Sequence, residues 1–408
     1  MMVTVKPHNY IPRTRILRYN SCMSKKRIAI LADFPWSFFE QGATGRGGGQ
    51  ACTWLAQLAE VFAAGTGYEI HWVSLDRNQM WGRVEHRTWG GQFFHRIPGG
   101  KVKIDLALGY WPSRLLLKRE LRRIQPDLVH CWGTERSYPV VCGMAGVPSI
   151  LSMQGVLTEY YRIGSFAGNR FWGRMVKWEP RFLRAATLVT SESQWGINKV
   201  REVCPEVDAR QVEYGVHPSF YELKWQPDGD APYAIYSGSL DSRKGLDVLI
   251  DAVSMIKERK WMLKIAGEGP LRKILEARGV SGVEWLGMLR WDDLQRELSQ
   301  ATCLVLPTKA DTSPNVAKEA RVIGLPVITT IHGGQAGYIR DGENGIIVEP
   351  LNAAMLAEAL SCLMDDPLLA RRMGTARHAE DRAYFRPSET ARGFLQIYDE
   401  LTQQTRPR

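Results

Sequence analysis

Pro307-Thr-Lys-Ala-Asp-Thr-Ser-Pro-Asn-Val-Ala-Lys-Glu-Ala-Arg-Val-Ile-Gly-Leu-Pro-Val-Ile-Thr329 is the stretch that decides the fold. The apolar run Cys303 to Pro307 ends at its first residue, and a loop carrying Asp311 follows. Ser313-Pro314 then reads as N-cap and first position of a helix reaching about Ile323, and Pro326 to Thr329 is the next apolar run. Strand, helix, strand in that order is a crossover unit of a parallel sheet. The N–H groups of Asn315 and Val316 would be free at the helix start and, backed by the dipole, would make an anion site. Glu319 lies about one turn further in and faces the same mouth. A carboxylate there suits hydroxyl groups better than phosphate, which points to a ribose or sugar beside a diphosphate. On spacing alone, a capped helix with a solvated Glu319 weighs as much.

The same alternation extends in both directions. Short runs rich in Val, Ile and Leu fall at Arg27 to Asp33, Tyr68 to Leu75, Asp127 to Trp132, Ser149 to Gln154 and Thr187 to Ser191. They recur at Tyr233 to Ser237, Trp261 to Gly267, Val283 to Gly287, Cys303 to Pro307, Pro326 to Thr329 and Gly345 to Val348. Separated by helical patterns, they predict an α/β protein of two Rossmann-like, doubly wound parallel sheets facing a cleft. Lys224-Trp-Gln-Pro-Asp-Gly-Asp-Ala-Pro232 is the linker. The expected divisions are a basic extension over 1–24, a first domain over 25–225 and a second over 226–385. The last, 386–408, is a helix and tail free to pack back on the first domain. From Asn352 to about Thr402 the pattern is wholly helical.

With 44% hydrophobic and 24% charged side chains in 408 residues, the chain is neither disordered nor fibrous. Its formal charge of +10 is unevenly placed. Residues 1–225 hold 30 basic and 18 acidic side chains, whereas 226–408 hold 23 and 25. Seven cysteines with no C-x-x-C pair make neither a disulfide framework nor a zinc site, which suits a reducing compartment. The longest uncharged stretch, Ser137 to Thr158, contains two prolines and three glycines and reads as a short buried helix followed by a strand, not a membrane span. The first 32 residues carry seven basic side chains and no acid, without the apolar core of a secretory signal.

In doubly wound sheets ligands bind beyond the carboxyl ends of the strands, so the loops there are the ones expected to carry chemistry. Ser237-Gly-Ser-Leu-Asp-Ser-Arg-Lys-Gly245 includes Gly238 and Ser239 and places Arg243 and Lys244 before a helix with the stripe Leu246, Leu249, Ile250, Val253. Two cations there can offset charge building on a leaving phosphate. Gly267-Glu268-Gly269 is a strand-to-helix turn whose missing side chains admit a ligand, though a lone G-x-G says little. Gly42 to Gly49, with Gly48 and Gly49 beside the next helix, either folds over a diphosphate or simply connects. His130 and Glu135, after a first-domain strand, are placed to orient acceptor or sugar, although a lone His in such a position is more often structural.

Taken together, the second half resembles the donor-binding half of the retaining GT-B glycosyltransferases of glycosyltransferase family 4 (glycosyl transferases group 1). The resemblance rests on Arg-Lys-Gly245, Gly-Glu-Gly269, Glu-Trp-Leu-Gly287, Ser-Pro-Asn-Val through Glu319-Ala, Gly-Leu-Pro-Val327 and Asp-Gly-Glu-Asn-Gly345. The first half matches more loosely, through Gly-Gly-Gly49 and Asp127-Leu-Val-His130. It implies that Arg243 and Lys244 hold the nucleotide diphosphate with help from the Asn315 and Val316 N–H groups. By the same resemblance Glu319 binds the ribose, Asp311 touches the transferred sugar, and neither metal nor other cofactor is needed. Asp228-Gly-Asp230 mimics the D-x-D of the other glycosyltransferase fold but falls in the linker. Three positions depart from the family pattern: Asp311 stands where Glu is usual, Ser239 where many members have Arg, and Gln154 where a His is frequent.

Tyr160 to Arg184 holds six basic side chains, one acid and seven aromatics. This composition suits an anionic headgroup or lipid-linked acceptor, and equally an aromatic face packed inward. The combined expectation is a cytoplasmic enzyme, at the inner face of the membrane or free of it, that transfers sugar from a nucleotide-sugar donor to a glycan or lipid-linked acceptor during cell-surface or secreted polysaccharide synthesis. Nucleic acid is not an expected partner. The alternative is a catalytically silent nucleotide-sugar-binding scaffold.

Overall fold

A computed structural model describes residues 25–41, 53–166 and 168–404. The first sheet comprises β1 (Arg27–Leu31), β2 (Glu69–Asp76), β3 (Glu85–Trp89), β4 (Gln92–Pro98), β5 (Leu128–Trp132), β6 (Ser149–Ser152), β7 (Leu188–Ser191) and β8 (Ala209–Gln211). Its order is β3-β4-β2-β1-β5-β6-β7-β8, parallel throughout except for edge strand β3. The second comprises β9 (Tyr233–Ser237), β10 (Met262–Ala266), β11 (Val283–Gly287), β12 (Cys303–Leu306), β13 (Val327–Thr330) and β14 (Gly345–Val348) in the order β11-β10-β9-β12-β13-β14. Counted from its first strand this is the 3-2-1-4-5-6 order of a doubly wound domain, which reverses between β9 and β12. The loops after those two strands are the ones that carry Arg243, Lys244 and Asp311.

Central strands such as Ile28–Leu31, Leu128–Trp132 and Cys303–Leu306 are buried along their full length because helices cover both faces. Three strands were not expected. Glu85-His-Arg-Thr-Trp89 is polar because β3 is an edge with alternate residues exposed, β4 carries His95 and Arg96 within it, and β8 has only three residues. The expected helix near Ser137 is a single 3-10 turn, Tyr138–Val141.

The last helix, Pro387–Gln404, leaves the second domain and packs on the Thr53–Ala63 helix of the first. It inserts Phe394 and Tyr398 into the first domain's core, where both are fully buried. No helix among the described residues is long and apolar enough to cross a membrane.

Candidate active site

Loops from the two sheets meet over a crevice. Thr312, after β12, donates from Oγ1 to the carbonyl of Gln154, after β6, at 2.8 Å, and its own carbonyl accepts from Ser193. The Arg243 guanidinium lies 4.7 Å from the centre of the Tyr160 ring.

The loop after β9 is shaped by its acid and its last glycine. Asp241 caps the Ser242–Lys244 turn, accepting from the N–H groups of Arg243 and Lys244 at 2.9 and 3.2 Å. Gly245 then takes φ 71°, and a Cβ there would run into the Pro307 carbonyl oxygen, so only glycine lets this loop lie against the end of β12. The result brings both cations to one carboxylate. Arg243 Nη1 is 3.1 Å from Asp311 Oδ2, and Lys244 Nζ bonds the same oxygen. Burial alone would raise the Asp311 carboxyl, but Lys244 and Arg243 outweigh it and hold it below the usual carboxylate range. Asp311, expected to touch the transferred sugar, gathers the two cations.

The helix beyond starts one residue later than expected. Pro314 is the N-cap and Asn315 the first helical residue, and Ser313 lies buried before it without capping the helix; Pro314, extended at ψ 120°, turns the chain into the helix. The first N–H to find an acceptor in this turn is that of Ala317, on Pro314, which leaves Asn315 and Val316 at the mouth. Glu319 is half-buried, and no hydrogen bond or ion pair reaches its carboxylate among the described residues. Burial pushes that carboxyl up to about 7, with only Lys318 opposing. A carboxylate without a protein donor is disposed to accept ligand hydroxyls.

Several expected residues sit elsewhere. His130 is corrected from a site residue to a core residue. It is fully buried, donating or accepting at Tyr398 Oη (2.7 Å) and Ser152 Oγ (2.6 Å), and burial lowers it to about 3. The last helix covers it, a contact between positions 268 residues apart. Gly267 and Gly269 do not open space for a ligand. A Cβ on either would strike the backbone of the Gly238–Leu240 loop, so they let two protein loops close on each other. Glu268 pairs with Arg272, and the Ser239 hydroxyl bonds Asp241 at 2.7 Å. Asp228 caps its own turn through the Asp230 and Ala231 N–H groups. Gly48 and Gly49 lie outside the described residues. Trp172 stacks on Phe166 at 4.3 Å and Trp178 packs against Tyr110, so most aromatics of 160–184 turn inward, Tyr161 excepted, while all six cations stay exposed.

From the first domain, Glu135 and Gln154 crowd the same space over Gly133. Burial raises the Glu135 carboxyl to about 7, and its Oε2 has no partner. Sequence reading missed a triad behind the site. Lys318 Nζ, fully buried, meets Glu192 at 2.8 Å, Glu213 at 3.1 Å and the Tyr214 carbonyl at 3.2 Å. Nothing in the local sequence marks Lys318, which stands between Ala317 and Glu319 on a helix of mixed polarity.

Residues 48–220 match the family described as Glycosyltransferase Family 4, and residues 231–366 match Glycosyl transferases group 1. A D-inositol 3-phosphate glycosyltransferase of Pseudarthrobacter chlorophenolicus is 29% identical over 382 residues, 86% of this chain and 90% of that protein. A lipopolysaccharide core biosynthesis glycosyltransferase of Rhizobium meliloti is 30% identical over 181 residues, 43% of this chain and 52% of that one. The chain spans about half the length of the first curated relatives it matches. Among solved structures, sucrose-phosphate synthase from Thermosynechococcus elongatus superposes with TM-score 0.74 at 20% identity, over 93% of this chain and all of that one. Anabaena HepE in complex with UDP-glucose gives 0.67 at 15% identity, over 92% of this chain and all of that one. These likenesses make the architecture GT-B.

Proposed function

Because the chain belongs to the glycosyltransferases that join a family 4 first half to a group 1 second half, we propose that it transfers a sugar, with retention, from a nucleotide-diphosphate donor to a glycan or lipid-linked acceptor. Assembly of a cell-surface or secreted polysaccharide is the setting, supported by the lipopolysaccharide relative. The observation that carries the reading is the two-cation cradle that Arg243 and Lys244 form on Asp311, just before a helix on which Glu319 is a carboxylate without a protein partner.

In this reading the donor diphosphate displaces Asp311 from the two cations and meets the Asn315 and Val316 N–H groups, while Glu319 accepts from the ribose hydroxyls. The anomeric carbon–oxygen bond breaks as the acceptor oxygen bonds the same face of the sugar, and the acceptor proton passes to the departing phosphate oxygen. Gln154 can hydrogen-bond a hydroxyl but cannot relay that proton. Arg243 and Lys244 neutralise the charge left on the diphosphate, so the donor site works without a metal. Glu135 and Gln154 meet the sugar or acceptor from the first domain.

A donor screen by thermal shift followed by turnover tests the proposal, since a ligand bound only to the folded state raises the melting temperature with its affinity. Binding of nucleotide diphosphate with no turnover across broad donor and acceptor panels would leave the silent binder instead. Glu319→Gln separates binding from stability. The folded carboxyl keeps its proton to about 7, whereas an unfolded one releases it near 4.3, so the native state binds more protons in that window and loses stability as pH rises through it. Above pH 7 the ligand-free Gln variant should therefore melt a few degrees higher than the parent, and near pH 4 no higher. It should also lose the donor-induced shift, and a retained shift would remove Glu319 from the donor site.

A further inference from the structure

The first domain holds a group of ligating side chains that the proposed reaction does not use. His86 on β3 and His95 on β4 stand directly opposite each other in the antiparallel pair, with Nδ1 atoms 3.1 Å apart. Glu120, from the Trp111–Ile124 helix, brings Oε1 to 3.0 Å from His95 Nδ1. Among the described residues this is the one group of three or more His, Cys, Asp or Glu whose ligand atoms converge, all within 4.8 Å of one another.

A hydrogen-bond inventory shows what these atoms lack. Glu69 accepts from Arg27 Nε at 2.9 Å, so it is a carboxylate, and His71 Nε2, also 2.9 Å away, must donate to it. His71 Nδ1 then offers a lone pair to His95 Nε2 at 3.0 Å, and His95 donates there. A neutral His95 is left with its Nδ1 lone pair aimed at a carboxylate oxygen. Two acceptors at 3.0 Å need a proton or a metal ion between them, the proton carried by His95 or by Glu120, whose other oxygen lies 3.4 Å from Arg123.

The donor set fits a metal. Two imidazole nitrogens and one carboxylate oxygen are a zinc-class set, and tetrahedral ligands at about 2.0–2.1 Å from zinc sit roughly 3.3 Å apart, close to the two short edges here. The outer contacts match too: a ligating imidazole commonly donates its second N–H to a partner that fixes its orientation, as His95 does to His71 and, through it, to Glu69. Three protein ligands leave one coordination position free. His86 and Glu120 line a groove of about 770 Å³, walled by Trp81, Trp111 and Leu115, so that position opens on the groove and is available to water or an anionic oxygen of a ligand.

We propose that His86, His95 and Glu120 bind one zinc-class divalent ion, with His71 and Glu69 positioning His95. The inference is independent of the glycosyl-transfer reading, and its test reads metal binding alone. Untagged full-length protein, stripped with chelator, is titrated with Co²⁺ and then Zn²⁺. One Co²⁺ per chain should give the visible absorption of low-coordinate nitrogen and oxygen ligation, Zn²⁺ should bleach it, and either ion should raise the melting temperature. His86→Ala, at an exposed ring, should abolish absorption and melting shift together, and Glu120→Gln should do the same. His71→Ala should weaken the affinity by about 10- to 100-fold. Absence of stoichiometric binding, or binding unchanged in His86→Ala and Glu120→Gln, would overturn the proposal and leave the proton as the cation of the cluster.

Discussion

Lys244→Ala should lower kcat for transfer from the nucleotide-sugar donor by about 10²–10³-fold, the range seen when one preorganised group facing developing charge is removed. Lys244 and Arg243 are both largely shielded from water, which strengthens whatever they meet. In the free protein they meet Asp311, so their charges are already gathered and oriented before the donor arrives. Negative charge on the diphosphate grows as the sugar–phosphate bond breaks, so the lost interaction is stronger in the transition state than in the bound donor, and kcat should fall more than KM rises. Lys244→Arg keeps the charge but changes its reach and shape, and should recover part of the loss. Steady-state kinetics on a donor found in the thermal screen decide the matter. An unchanged kcat in Lys244→Ala would take the leaving-group role away from this residue, even if donor binding weakened.

The sheets, their order of appearance and the loops that carry Arg243, Lys244 and Asp311 were legible because each rests on local signals. Buried parallel strands read as continuous apolar runs, and the Pro307 to Thr329 stretch carries loop, helix start and following strand within 23 residues. What was not legible depends on distant partners. His130 sits after nothing unusual in sequence, and only the return of the Pro387–Gln404 helix, with Tyr398 against its ring, makes it a core residue. Gly267 and Gly269 looked like ligand space because sequence shows a missing side chain but not which neighbour fills the gap; the neighbour is the loop at Gly238 to Leu240. Glu85 to Pro98 lacks the signal of its neighbours because the edge strand exposes alternate residues, His86 among them, and because the buried His95 breaks the apolar pattern of β4. The contact of Asp311 with Arg243 and Lys244 leaves no local trace, because the two cations lie 68 and 67 positions away in sequence.

Lys318→Met should destabilise the protein by about 3–5 kcal/mol, the range for breaking a buried ion pair from one side. The lysine side chain has no exposure and the two carboxylates almost none, at 8% and 7%. Its three N–H donors are taken by Glu192, Glu213 and the Tyr214 carbonyl, all of the first domain, while Lys318 belongs to a second-domain helix. Burial pushes both glutamates up, Glu192 to about 8, and Lys318 is what opposes it. Without the lysine, the two carboxyls in the folded variant hold their protons to still higher pH than in the unfolded chain, so the variant loses stability as pH rises. The gap between parent and variant in denaturant or thermal melts should therefore widen as pH rises through about 8, where Glu192 of the parent gives up its proton and that of the variant does not. Adding Glu192→Gln and Glu213→Gln to Lys318→Met should restore much of the loss, because neutral groups of similar shape carry no unpaired charge. The consequence reaches the site, since Glu319 is the next residue on the same helix and the triad fixes that helix against the first domain. Lys318→Met should consequently weaken donor-induced stabilisation although Lys318 lies behind the donor contacts. A variant as stable as the parent at pH 8 would show that the triad does not hold the two domains together.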